Sequence, residues 1–244
     1  MALELNATRE PYREFYGKNV WQMPELIADG RVPMSVAGLM QRRLDVRNSD
    51  ADVKSSYMDN YFDTGDAVLY HPDGRVKIVL DSQTLREMTP DTQRVGGALL
   101  LGEDVYDALQ GEEFKKGKLG KVDERLTKEQ AKAHPVWKVL ARDQALLDDY
   151  ADCIFAEGKQ RFNDDNAMGV FLDSAGDKPK LRAWCVCRLG LRSDASGGDS
   201  LVSDHGRFVG IAPEALRFDS ALKGLEATVR PELLEPFREF RKKL

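Results

Sequence analysis

The chain of 244 residues carries 36 Lys and Arg against 41 Asp and Glu, a formal net charge of −5, which argues against capture of nucleic acid or anionic membrane by overall charge. With 42% hydrophobic and 32% charged residues it has the composition of a globular protein that can bury a sizeable core. No apolar run approaches a membrane span, the polar start MALELNATREPYREFYG is unlike a signal peptide, and three cysteines (Cys153, Cys185, Cys187) do not form a disulfide framework, so the expected location is cytoplasmic.

In chain order, Pro24 to Ala28 reads as a short helical piece ended by Asp29-Gly30. A better helix follows Pro33, with Val36, Leu39, Met40 and Leu44 on one face and Gln41, Arg42 and Arg43 turned outward. Ser49 is a candidate N-cap for the next helix, through Val53, Tyr57 and Met58. The clearest local signal is a β-hairpin: Val68 to Tyr70, the turn His71-Pro72-Asp73-Gly74, then Arg75 to Leu80 in alternation.

Val95 to Leu101 reads as a buried strand and Glu103 to Leu109 as a short helix. The charged, glycine-rich stretch 111–126 is a loop or linker, dividing 1–110 from 127–244 unless the whole is a single domain. Thr127 begins a turn, and the longest helix signal runs from Pro135 to about Phe162 along Val136, Leu140, Leu147, Tyr150 and Ile154, with Asp143 its one break. Met168 to Leu172 and Leu181 to Leu191 flank a loop suited to a hairpin, Arg192 to Asp204 is a polar loop that could cover a pocket, and Arg207 to Ile211 is a short strand. An amphipathic helix from Pro231 uses Leu233, Leu234, Phe237 and Phe240. The fold class is therefore α+β: short N-terminal helices, a β-hairpin, a long central amphipathic helix and a C-terminal antiparallel sheet.

Several functional readings follow from particular residues. The two early helices and the hairpin stand in the order of a winged helix-turn-helix, with Arg75 and Lys77 on the wing. Asp50, Asp52 and Asp59 on the would-be recognition helix oppose that reading, because they would meet phosphates. Thr64-Gly65-Asp66 with Asp73-Gly74-Arg75 resembles a segment of the adenylate-forming enzymes, in which the aspartate corresponding to Asp66 holds ribose hydroxyls. The resemblance stops at Thr64 to Arg75: the family's phosphate loop and hinge are not recognisable, and neither GxxxxGK[ST] nor GxGxxG occurs, so no nucleotide cofactor is indicated.

Asp63 and Asp66 near the hairpin and Asp164 and Asp165 after the long helix would, if brought together, hold Mg²⁺ or Mn²⁺ for a metal-dependent hydrolase. Arg182, Arg188 and His205 are the matching candidates for binding substrate or anion. Cys153, Cys185, Cys187 and His205 are a zinc candidate set, although a C-x-C pair within a strand is more often core packing. The leading reading is a non-catalytic binding or assembly module whose partner is a protein or a second copy of the chain, with Trp137, Trp184 and Phe240 as candidate anchors.

Overall fold

The computed structural model describes residues 11–115, 117–174 and 176–215, with 229, 233 and 236. The helix expected from Pro231 lies almost wholly outside the described residues. The first elements are β1 (Tyr12–Tyr16), α1 (Asn19–Ala28), β2 (Val32–Pro33), α2 (Val36–Asp45) and α3 (Ala51–Met58). They are followed by β3 (Phe62–Tyr70), β4 (Val76–Val79), α4 (Gln83–Arg86), β5 (Arg94–Val95), β6 (Ala98–Leu100), α5 (Glu103–Ala108) and β7 (Glu112–Phe114). The remainder comprises β8 (Glu124–Leu126), α6 (Lys128–Ala133), α7 (Pro135–Ala141), α8 (Gln144–Phe162), β9 (Met168–Phe171), β10 (Lys180–Val186), β11 (Ala195–Ser196) and β12 (Arg207–Ile211).

The protein is α+β, but its sheet is mixed and draws strands from the whole described chain. The main path runs β1-β12-β3-β10-β11-β9-β8. β1 and β12, near the two ends of the described span, pair antiparallel from Tyr12 opposite Ile211 to Tyr16 opposite Arg207. The C-terminal strands expected in an antiparallel sheet lie in a mixed one, since β12 runs parallel to β3 and β11 parallel to β9. Because β3 and β10 are adjacent, residues 111–126 do not separate two sheets, and β7 and β8 of that stretch join the one sheet.

Both sheet faces are covered, which is why β3 and β10 are buried along their whole lengths. On one face Val68, Tyr70 and Val186 pack with Leu39 and Met40 of α2, Trp137 of α7 and Tyr150 and Ile154 of α8. On the other, Ala67, Leu69 and Leu181 pack with Val20 and Met23 of α1, Leu85 of α4 and Tyr106 of α5. Trp137 and Trp184 are both fully buried, so they are core residues and not interface anchors.

The hairpin forms as expected, closed by His71 N–H to the Arg75 carbonyl at 3.0 Å, with Gly74 at φ 89°. Its second strand is not a wing. Lys77 is buried, donating from Nζ to the Tyr106 and Leu109 carbonyls at 2.8 and 3.1 Å, while Arg75 is held by Asp73 at 2.8 Å.

Other elements are interrupted where the sequence suggested continuity. Gly96 and Gly97, at φ 54° and 77°, turn the expected strand 95–101 back on itself as β5 and β6. The long helix signal is two helices, because Arg142 adopts a left-handed φ of 63° and Asp143 caps α8 by accepting from Leu146 N–H at 2.8 Å. The break at Asp143 is thus an N-cap. β9 and β10 do not form a hairpin; the two-residue β11 lies between them. Arg43, expected to face solvent, is fully buried.

Candidate functional site

β10 crosses β3 with an irregularity in register. Leu181 faces Leu69 and Ala183 faces Ala67, but Cys185 faces Asp63, so Thr64-Gly65-Asp66 bulges from the ladder. Gly65 suits this close approach, since a Cβ there would stand 3.0 Å from Pro33 Cγ. The Thr64-Gly65-Asp66 motif is therefore a structural kink, which sends Asp63 and Asp66 to different surroundings.

Asp66 is fully buried and accepts from Val36 N–H at 2.7 Å, Asp81 N–H at 2.9 Å and Arg142 Nη2 at 2.8 Å. These donors come from the start of α2, the turn after β4 and the α7–α8 junction, so the Asp66 carboxylate is committed to tying these elements together. Asp63 accepts from Arg207 N–H at 2.9 Å, and its carboxyl gathers with the Cys185 thiol and the Asp199 carboxyl, all within 4.8 Å of one another. Asp199 is the solvent-accessible member; Ser196 Oγ donates to it at 3.1 Å. Burial pushes the Asp63 carboxyl up to about 7, and the hydrogen bond to Cys187 together with burial raises the Cys185 thiol.

An exposed rim borders this buried floor. Residues 16–21 run beside 201–206, tied by Gly17 N–H to the Gly206 carbonyl at 2.9 Å and Val20 N–H to the Leu201 carbonyl at 3.2 Å. Tyr16 Oη meets His205 Nδ1 at 2.9 Å, Tyr61 Oη donates to the His205 carbonyl, and Lys18 pairs with Asp204 at 3.4 Å. The Arg207 guanidinium stacks over Tyr16 and Tyr61 at 5.1 and 5.5 Å from their ring centres. Trp21, in the first turn of α1, is 56% exposed and Tyr16 46%.

The four carboxylates expected to share Mg²⁺ or Mn²⁺ are not brought together. Asp164 accepts from Asn166 N–H at 2.9 Å and Asp165 pairs with Lys159 at 2.8 Å, ordinary chemistry for the end of a helix. Arg182 is no free anion clamp: its Nε reaches Asp173 at 2.9 Å, Nη1 the Asp199 carbonyl at 3.0 Å and Nη2 the Gly96 carbonyl at 2.6 Å. It thereby fixes the loop that carries Asp199. Arg188 is exposed, away from these contacts, and His205 belongs to the rim. The expected zinc set also separates, since Cys153 sits on α8 among the residues of the opposite face. Asn19, Tyr16, Tyr61 and Asp199 were not singled out from the sequence; only the expectation that 192–204 covers a pocket pointed toward Asp199.

A second buried carboxyl stands outside this cluster. Asp194 is pushed by burial to about 7, with Arg192 3.6 Å away opposing the shift. Asp63 and Asp194 thus hold protons in the fold that the unfolded chain releases near pH 4. Both shifts are upward, so their contribution to stability is full below about pH 4 and is lost as pH rises through about 7. Asp194→Asn should make the fall in urea-derived stability from pH 5 to pH 8 shallower by on the order of 1–3 kcal/mol; an unaltered pH profile would contradict that assignment.

No protein-family model matches the sequence, and no curated protein does. Among solved structures, the chain has the C-type lectin fold. The similar structure is one reported as "Accommodation of massive sequence variation in Nanoarchaeota by the C-type lectin fold", with a TM-score of 0.62 at 17% identity, covering 84% of this chain and 100% of that one. Among the described residues no helix is long and apolar enough to cross a membrane.

Proposed function

We propose that this protein is a non-catalytic binding module that takes a protein ligand on the rim formed by residues 16–21, Tyr61 and 201–207. The observation that carries the reading is the exposure of Tyr16, which lies against Arg207 and His205, together with that of Trp21 in the adjoining first turn of α1. Tyrosine, tryptophan and arginine are the side chains that most often anchor protein interfaces. The rim is preorganised, because the Gly17–Gly206 and Val20–Leu201 hydrogen bonds fix one segment against the other, which lowers the ordering cost of association. The similar solved structure is described as accommodating massive sequence variation on the same fold. A frame that tolerates such variation suits a binding role, in which surface side chains set the partner. The free thiols Cys153, Cys185 and Cys187 suit a reducing, cytoplasmic setting.

Panning a displayed peptide library on the immobilised protein tests the reading. Enriched peptides should bind the Tyr16→Ala/Trp21→Ala variant at least tenfold more weakly, about 1.4 kcal/mol. Both side chains are exposed, so the variant keeps the fold. Failure to enrich any peptide, or equal affinity for the variant, would overturn the proposal.

A further inference from the structure

The floor beneath the rim combines two thiols with two carboxyls, a donor set that the binding reading does not use. Cys185 lies directly across the β3–β10 ladder from Asp63, its thiol is hydrogen-bonded to that of Cys187, and Asp199 closes the group from the loop above. We propose that Asp63, Cys185, Cys187 and Asp199 form a binding site for one thiophilic divalent cation of the zinc class.

Two features support a ligand here over simple packing. The first is incomplete polar pairing. Asn19 is 1% exposed and its amide faces the Asp63 carboxyl, yet neither Nδ2 nor Oδ1 makes a hydrogen bond of good geometry. Buried amides are ordinarily satisfied, and an under-paired one beside a buried acid is polar capacity that a ligand could use. The second is geometry. Donors around a tetrahedral zinc stand roughly 3.3–3.7 Å apart, given Zn–S near 2.3 Å and Zn–O near 2.1 Å. The Asp63, Cys185 and Asp199 donors lie within 4.8 Å of one another, Asp199 on a loop position that Arg182 and Ser196 hold in place, and the Cys187 thiol adjoins that of Cys185 as the fourth donor.

Thiolates select zinc over magnesium or manganese, which favour all-oxygen shells. On binding, the thiol and carboxyl protons pass to the buffer, with no change in oxidation state.

The test is titration of chelator-stripped, reduced full-length protein with Zn²⁺, and separately with Co²⁺ as a spectroscopic stand-in. The expected results are one Zn²⁺ per chain and, with Co²⁺, a thiolate-to-metal charge-transfer band in the near ultraviolet. Asp199→Asn, at the accessible edge of the site, should weaken Zn²⁺ binding at least tenfold while the circular dichroism spectrum is unchanged. Cys187→Ser should reduce the band, and Cys185→Ser should do the same if the variant folds. Absence of the charge-transfer band, a response to Mg²⁺ or Mn²⁺ only, or full Zn²⁺ affinity in both Asp199→Asn and Cys187→Ser would overturn the proposal. These measurements need no peptide ligand, so they stand apart from the test of the rim.

Discussion

Replacing Arg43 with methionine should destabilise the protein by about 4 kcal/mol, the largest effect expected of any single substitution considered. The guanidinium is fully buried on α2 and uses its fork on five oxygens. Nε donates to the Tyr57 carbonyl at 2.9 Å, Nη1 to Tyr150 Oη and Ser193 Oγ at 2.8 and 2.6 Å, and Nη2 to the Asn60 and Cys187 carbonyls at 3.0 Å each. Tyr150 and Ser193 also bond each other at 2.7 Å and retain that bond in the variant. The three carbonyls do not, and each buried acceptor left unpaired costs about 1–3 kcal/mol, partly offset because no charge is then buried. Arg43→Lys should recover only part of the loss, since an ammonium has three donors and no planar fork. Urea denaturation decides the matter, and a loss below about 1 kcal/mol for Arg43→Met would show that these bonds contribute little.

Asp66→Ala is expected to cost about 3 kcal/mol. The carboxylate receives the first free N–H of α2 through Val36, the Asp81 N–H of the turn after β4, and Arg142 at the α7–α8 junction. Its removal orphans two N–H groups and leaves Arg142 with Asp81 alone, at 2.6 Å. The double variant Asp66→Ala/Arg142→Ala should show coupling of about 1–2 kcal/mol relative to the sum of the singles. Strict additivity would contradict the direct link between β3 and the α7–α8 junction.

These two residues show what was legible in the sequence and what was not. The hairpin turn, the turn begun at Thr127 and the apolar seams were legible because each depends on residues a few positions apart. Arg43 was not, because an arginine on an amphipathic helix ordinarily faces water; here α2 packs with both α8 and the sheet, and the oxygens that hold Arg43 come from four separate segments. Asp66 was assigned to metal by its proximity to Asp63, and the bulge at Thr64-Gly65-Asp66 is a property of register that residue types do not encode. The two-residue β11 carries no period at all, so its insertion between β9 and β10 left no trace in the pattern.

The site was half legible for the same reason. Asp63, Cys185, Cys187 and His205 each drew attention by chemistry, but they were grouped with the wrong neighbours. Asp63 meets Cys185 only through a cross-strand pairing between residues far apart in the chain. Asp199 reaches them from a loop held by Arg182 at its carbonyl and by Ser196 at its carboxylate. The aromatic rim was missed because Tyr16, Trp21 and Tyr61 follow no motif; the pairing of β1 with β12 brings the first two beside residues 201–206.

Amide chemical-shift mapping of an enriched peptide on isotope-labelled protein tests the central claim most directly. The account predicts the largest shifts at residues 16–21, Tyr61 and 199–207, with α6 and α8 unaffected. Shifts concentrated on α8, or on the groove near Gln93, Gly102 and Lys178, would contradict it.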